Sequence, residues 1–450
     1  MRTSSIVLSS IILGLALTGC AAPSAAPAPP IISDSKDQII LQKFLAHARA
    51  YARATTVEHC RKMETPEMFC WLDLPQLDLS LTAYELTGDP ARVADFVAGF
   101  ENLRSCLSPG PDGLLGWRGK AIEDSRDPAR PNVVIDEVQV DFRAVIVLAH
   151  FVDLVDRDPA LRQKYAALRD QYLDLAENHF AKKWDVRGYY IKLGDRGAIC
   201  HSNPDNIPTA ANSTLSHQDH DPLIEALLDL YCITGRDEYA IKAVRLGTWL
   251  KKCLSLTNDH YVWNFWDPAG PWDVHPTDPA KWKCWLGREP KGGFYTMTVN
   301  SALNLYQHGL VFDRTDVDRF LRTQMEVCWN GDLVHPVFAN TDGKVLPKER
   351  MVAPSLAPFN AKLAELLYGP AAQDERVAKA DNDWQGGMIN GQYLREKYLF
   401  LPQALAGRPL YEECANKFLA KPANRALVEK LKFEVVAPGY QTPFTPAQMK

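Results

Sequence analysis

The stretch NSTLSHQDHDP, Asn212 to Pro222, sets two histidines, two aspartates, a glutamine and an asparagine just ahead of an apolar helical run. Imidazole and carboxamide groups gathered at a helix entry can steady an anion, because the helix dipole and its free N–H groups favour negative charge there. His217, His220 and Asp219 could also be read as three metal donors. Their spacing matches no zinc motif such as H-E-x-x-H, so no metal and no cofactor is expected. Asp221 followed by Pro222 fits a helix N-cap with proline in the first turn. Histidines facing water are the plainer alternative for His217 and His220.

A second region runs from Tyr261 to Thr298 and holds five of the chain's 11 tryptophans, among them Trp263 and Trp266. Aromatic rings on a long loop either form a local core or offer faces on which sugar rings can lie. Arg288 and Lys291 stand beside them, placed to meet a carboxylate. Tyr295 heads the helix that follows. In a third region, DEVQVDFRAVIVLAH, the residues Asp136, Gln139, Arg143 and His150 share one face of a helix. Such a stripe faces either water or an internal cavity.

The elements that must position these residues repeat one pattern. Leu79–Leu103, Val145–Phe180 and Leu223–Leu254 each read as an apolar-periodic helix, a short turn and a second periodic helix. Gly88 and Gly235 fit left-handed helix ends, while Pro90 and Pro159 fit the first turn of the next helix. Further helices are expected at about 36–57, 293–308, 315–328, 356–368 and 408–432. Strict strand alternation is scarce, so an all-α domain is expected over 36–450. The TGD and TGR turns resemble those of α/α toroids, the rings of helical hairpins used by many glycosidases and polysaccharide lyases. This likeness specifies architecture more than chemistry.

Two reactions suit such a ring. A glycoside hydrolase needs one protonated and one ionised carboxyl across the bond it cuts, and Asp136, Asp141 and Asp219 are available. A lyase acting on a uronic acid needs donors that neutralise the carboxylate, a base for the C5 proton and an acid for the leaving oxygen. Asn212, His217 and Gln218 fit the first role, and Tyr295 the acid/base role. Gln139, Arg143, His220, Arg288, Lys291, Trp263 and Trp266 complete a substrate-binding set. This inventory resembles toroid-type alginate and glucuronan lyases, which pair an Asn/His constellation with a tyrosine. The likeness implies β-elimination on a uronic-acid polymer; Asn212 and His217 depart from it, being five apart rather than adjacent. The alternatives are a toroid hydrolase, a toroid epimerase and a surface protein that only binds glycans.

With 46% hydrophobic and 23% charged residues among 450, the chain is that of a globular protein. A net charge of −5 without a basic stripe argues against nucleic acid as a partner. Residues 1–20 read as an export signal with a short apolar run. Its ending LTGC resembles a bacterial lipobox, which implies lipidation of Cys20 and, with Ala21 next, an outer-membrane destination. Residues 21–35, rich in Ala and Pro, read as a tether. Nine further cysteines include no C-x-x-C pair, so buried thiols are the plain expectation.

Overall fold

A computed structural model of the chain describes residues 28–120, 134–193, 196–199, 213–275, 277–378, 384–402 and 412–430. The export signal with Cys20, part of the tether and Asn212 lie outside the described residues.

The hairpins form as the turn chemistry dictates. Helices α1 (Ser35–Ala54), α2 (Leu74–Thr87), α3 (Pro90–Arg104), α4 (Val138–Arg157) and α5 (Pro159–Asp174) come first. They are followed by α6 (His220–Thr234), α7 (Asp237–Cys253), α8 (Gly292–Gln307) and α9 (Arg314–Arg322). Gly88 and Gly235 end α2 and α6 at φ of 68° and 69°, a left-handed conformation that only glycine adopts without strain. Asp89 and Asp158 then cap α3 and α5 through their carboxylates, with Pro90 and Pro159 in the first helical position.

Burial separates inner from outer helices. Along α2 and α4 nearly every turn buries residues on several sides, from Leu74 to Leu86 and from Val138 to Val155. A helix apolar all round belongs inside. In contrast, α5 buries only Leu161, Tyr165 and Tyr172, a single stripe laid on α4. The inner helices α2, α4, α6 and α8 pack side by side, and α3, α5, α7 and α9 back them from outside. Aromatic rings lock the layers: Phe96 of α3 stacks on Phe151 of α4 at 5.5 Å, and Tyr172 of α5 meets Phe100 at 4.9 Å.

Three more helices complete the ring: α10 (Ala361–Tyr368), α11 (Pro370–Ala378) and α12 (Trp384–Arg395). A 3-10 turn, Pro354–Phe359, links α8 to α10; α10 then meets α11, α11 meets α1, and α12 packs on both α1 and α2. The result is the α/α toroid expected from the hairpin turns, with only short two-stranded ribbons beside it among the described residues. No described helix is long and apolar enough to cross a membrane, and Cys60, Cys70, Cys106, Cys232, Cys253, Cys284 and Cys328 are present as thiols.

The seam closes on Asp37, which is wholly buried. Its carboxylate accepts hydrogen bonds from Tyr393 (2.6 Å), Gln373 (3.0 Å), Tyr398 and the Lys397 ammonium (2.6 Å). Burial raises the carboxyl's pKa, but these donors outweigh it and hold Asp37 below the usual carboxylate range. Asp37→Ala should therefore lower unfolding stability by about 3 kcal/mol, read from denaturant midpoints at neutral pH. Because the folded pKa is depressed, the deficit should be full above about pH 4 and fade as the solution becomes more acid.

Candidate active site

The polar stretch before α6 is woven into the aromatic loop. Thr214 gives Asp273 both its N–H (2.7 Å) and its hydroxyl (2.8 Å), and the N–H groups of Ala269 and Gly270 reach the same carboxylate. The Trp266 indole N–H donates to the Thr214 carbonyl at 2.8 Å. Trp263 stacks on Tyr295 at 5.4 Å, with its own N–H 3.4 Å from Glu289. Both indoles find polar partners inside the protein, and both rings are fully buried. They are core, not the sugar platforms expected of them. Among the described residues, Trp285 and Trp71 are the most exposed tryptophans, at 57% and 36%.

Tyr295 shares that core. Its phenol lies against Cys328, and burial pushes its pKa well above the ordinary value. A base needs the opposite shift, and a side chain without solvent exposure offers no surface to a substrate. Next to it, burial lifts Glu289 to about 8, with Thr298 donating to it at 2.7 Å. Its folded pKa is raised, so Glu289 costs stability progressively from about pH 4 up to about 8. Glu289→Gln should melt higher than the parent at neutral pH, and the gap should vanish near pH 4. Equal melting curves at both pH values would contradict a protonated Glu289.

The remaining polar heads of the stretch are committed to one another. His217 Nε2 pairs with Asp267 Oδ2 at 3.0 Å. Gln218 donates to Asp219 at 2.7 Å and to Ser216 at 3.2 Å, Gln139 also donates to Asp219, and His220 Nδ1 meets the Ser216 carbonyl at 3.1 Å. All four residues of the His217–His220 run are buried, so the surface-histidine alternative does not describe them. Arg288 donates to Asn264 at 2.9 Å, and the exposed Lys291 lies over the Phe294 ring. The groups expected to neutralise a substrate carboxylate are thus spent on protein carboxylates. Asn212 falls outside the described residues.

Asp221 is not the N-cap its sequence position suggests. The helix begins two residues earlier than that, at His220, and Asp221 sits buried inside the first turn, where its Oδ1 lies 3.4 Å from the Ser301 hydroxyl of α8. It starts a column with Glu225 and Asp229 at successive turns of α6. The polar stripe of α4 faces inward toward this column. Arg143 interacts electrostatically with Asp221 and Glu225 of α6 and with Asp78 of α2. One level deeper, His150 bridges Asp78 (2.6 Å) and Glu85 (3.1 Å), with Asp153, Arg157, Asp229 and Arg395 around it. Asp136 and Asp141 leave the axis. Lys183 and Arg187 hold Asp136, while Lys183 (2.8 Å) and the Trp184 indole (3.0 Å) hold Asp141, whose burial lifts it to about 7.

The axial carboxyls fall into two classes. Burial and the Glu225 carboxylate hold Asp221 well above the ordinary range, and burial with Glu225 and Asp153 does the same to Asp229. Burial also acts on Asp78 and Glu85, but the His150 imidazolium and Arg395 outweigh it and keep both low. Asp78, Glu85, Glu225, Asp229 and Arg395 escaped the sequence reading because the partners that bring them together lie on other helices. The four-residue spacing 221, 225, 229 was the one available signal.

A separate donor set lies beside this axis. One ring nitrogen of His217, the Cys253 sulfur and an Asp267 oxygen all fall within 4.8 Å of one another. These are not the His217, Asp219 and His220 that adjacency suggested, since Asp219 and His220 turn to other partners.

The ring therefore belongs to the α/α-toroid class of architecture. No protein-family model matches the chain, and no curated protein does. Among solved structures it is similar to an inactive variant of alpha-1,6-mannanase GH76A of Salegentibacter sp. HEL1_6 bound to alpha-1,6-mannotriose. That match has 12% identity over 82% of this chain and 100% of the other, at a TM-score of 0.45. It is also similar to the endo-beta-1,4-glucanase CMCax of Acetobacter xylinum, with 14% identity over 80% of this chain and 98% of the other, at a TM-score of 0.46.

Proposed function

We propose that the chain is a carbohydrate-active enzyme that hydrolyses a glycosidic bond at the polar column shared by α2, α4 and α6, with Asp221 as general acid and Asp78 as its ionised partner. One arrangement carries this reading: burial and Glu225 push the Asp221 carboxyl of α6 up, His150 holds the Asp78 carboxyl of α2 down, and Arg143 of α4 acts electrostatically on both. Glycoside hydrolysis needs that division of labour, because one group must give a proton to the leaving oxygen while the other supports the cationic sugar ring. Ser301 faces one oxygen of Asp221, leaving the other to carry the proton toward a substrate. Asp78 then meets the developing positive charge, either taking the proton of the attacking water or adding to the anomeric carbon. The Arg143 guanidinium lends both carboxyls positive charge through space.

Elimination at a uronate fits these groups less well. Its acid/base tyrosine is sealed in the core, and its neutralising donors already serve Asp267 and Asp219. The expected export and lipidation at Cys20 belong to the same proposal, which places a tethered enzyme where polymeric glycans are met. The test is incubation of the purified chain with neutral and uronate polymers. New reducing ends without ultraviolet-absorbing products support hydrolysis. Unsaturated, absorbing ends overturn it in favour of elimination, and retained glycan without cleavage overturns it in favour of binding alone.

A further inference from the structure

We propose that His217, Cys253 and Asp267 form a binding site for a zinc-class transition-metal ion, which fastens the entry of α6, the end of α7 and the aromatic loop together. The three donors are an imidazole nitrogen, a sulfur and a carboxylate oxygen, all within 4.8 Å of one another. Their residues are 1%, 6% and 3% exposed, so the set is enclosed rather than scattered over a surface.

Two further observations separate this set from a mere hydrogen-bonded His–Asp pair. The pair explains the 3.0 Å contact between His217 Nε2 and Asp267 Oδ2, but it leaves the buried Nδ1 of His217 with no hydrogen-bond partner. The second is the support behind the carboxylate. Asp267 Oδ1 accepts from the Asn264 amide at 3.0 Å, and Asn264 Oδ1 accepts from Arg288 at 2.9 Å. Metal-ligating carboxylates are held from behind in this way, with the other oxygen, here Oδ2 on the His217 side, left to share with an ion.

The donor types choose the ion. Calcium and magnesium take oxygen ligands, whereas sulfur, imidazole and carboxylate together suit zinc and its neighbours in the first transition row. Cys253 must give up its thiol proton on binding, so affinity should rise with pH. The ligands come from three segments distant in sequence, which is why no spacing motif announced them.

Titration of the purified full chain with cobalt(II), a coloured stand-in for zinc, tests the site. The expected result is a thiolate-to-cobalt charge-transfer band that saturates at about one equivalent, is displaced by zinc and is missing in Cys253→Ser. Asn264→Ala, which removes the support but no ligand, should weaken cobalt binding by about 10–100-fold. No band in the parent chain, or an undiminished band in Cys253→Ser, overturns the proposal. If circular dichroism shows that Cys253→Ser does not fold, Asn264→Ala decides: unchanged cobalt affinity there overturns it equally.

Discussion

Asp221→Asn leaves the helical ring folded and lowers glycan turnover by about 10²–10⁴-fold, the usual contribution of a positioned proton donor. Asparagine keeps the shape of the side chain and its place facing Ser301, but it has no proton to give. Unaltered circular dichroism with lost kcat is the expected pair of results; full activity would remove Asp221 from the chemistry. The pH profile of the parent gives a second reading. Activity should fall on the alkaline side as Asp221 ionises, because its pKa is raised. It should fall on the acid side as Asp78 is protonated, because that pKa is lowered. In Asp221→Asn the alkaline limb should disappear from whatever activity remains.

His150→Gln destabilises the fold by about 3–5 kcal/mol at neutral pH, since it leaves Asp78 and Glu85 facing each other without the cation between them. Burial works against the charged imidazole, yet the two carboxylates lift its pKa to about 10. A raised folded pKa means that the stabilisation is complete below about pH 6.5 and is lost as pH climbs through about 10. Asp78 and Glu85 have depressed pKa values, so their share is lost as the solution falls below about pH 4. Urea midpoints of parent and variant should thus lie far apart near neutrality and converge at both extremes. Coincident midpoints at pH 7 would show that the bridge contributes nothing net.

Architecture was readable because it rests on local chemistry. The Gly88 and Gly235 turns, with Pro90 and Pro159 beyond the breaks, specify hairpins within a few residues of chain. The site was less readable because it depends on what faces what. His150 and Arg143 stood out as a stripe, but only the neighbouring helices show that the stripe points to the axis. Asp221 carried a strong local signature for capping, and packing against α8 overrode it. Trp263, Trp266 and Tyr295 had the composition of a sugar platform; their buried partners Glu289, Thr214 and Cys328 sit 26 to 52 positions away or on other elements.

The Asp37 seam joins groups up to 361 positions apart. During synthesis the first stave of the ring therefore emerges long before the segment that will cover it. Hairpins of neighbouring helices can form on the nascent chain, while α1 waits with a carboxylate that has no counter-charge until Lys397 has been made. That delay has a use: an unfinished ring cannot lock prematurely, and it closes only when the far end arrives.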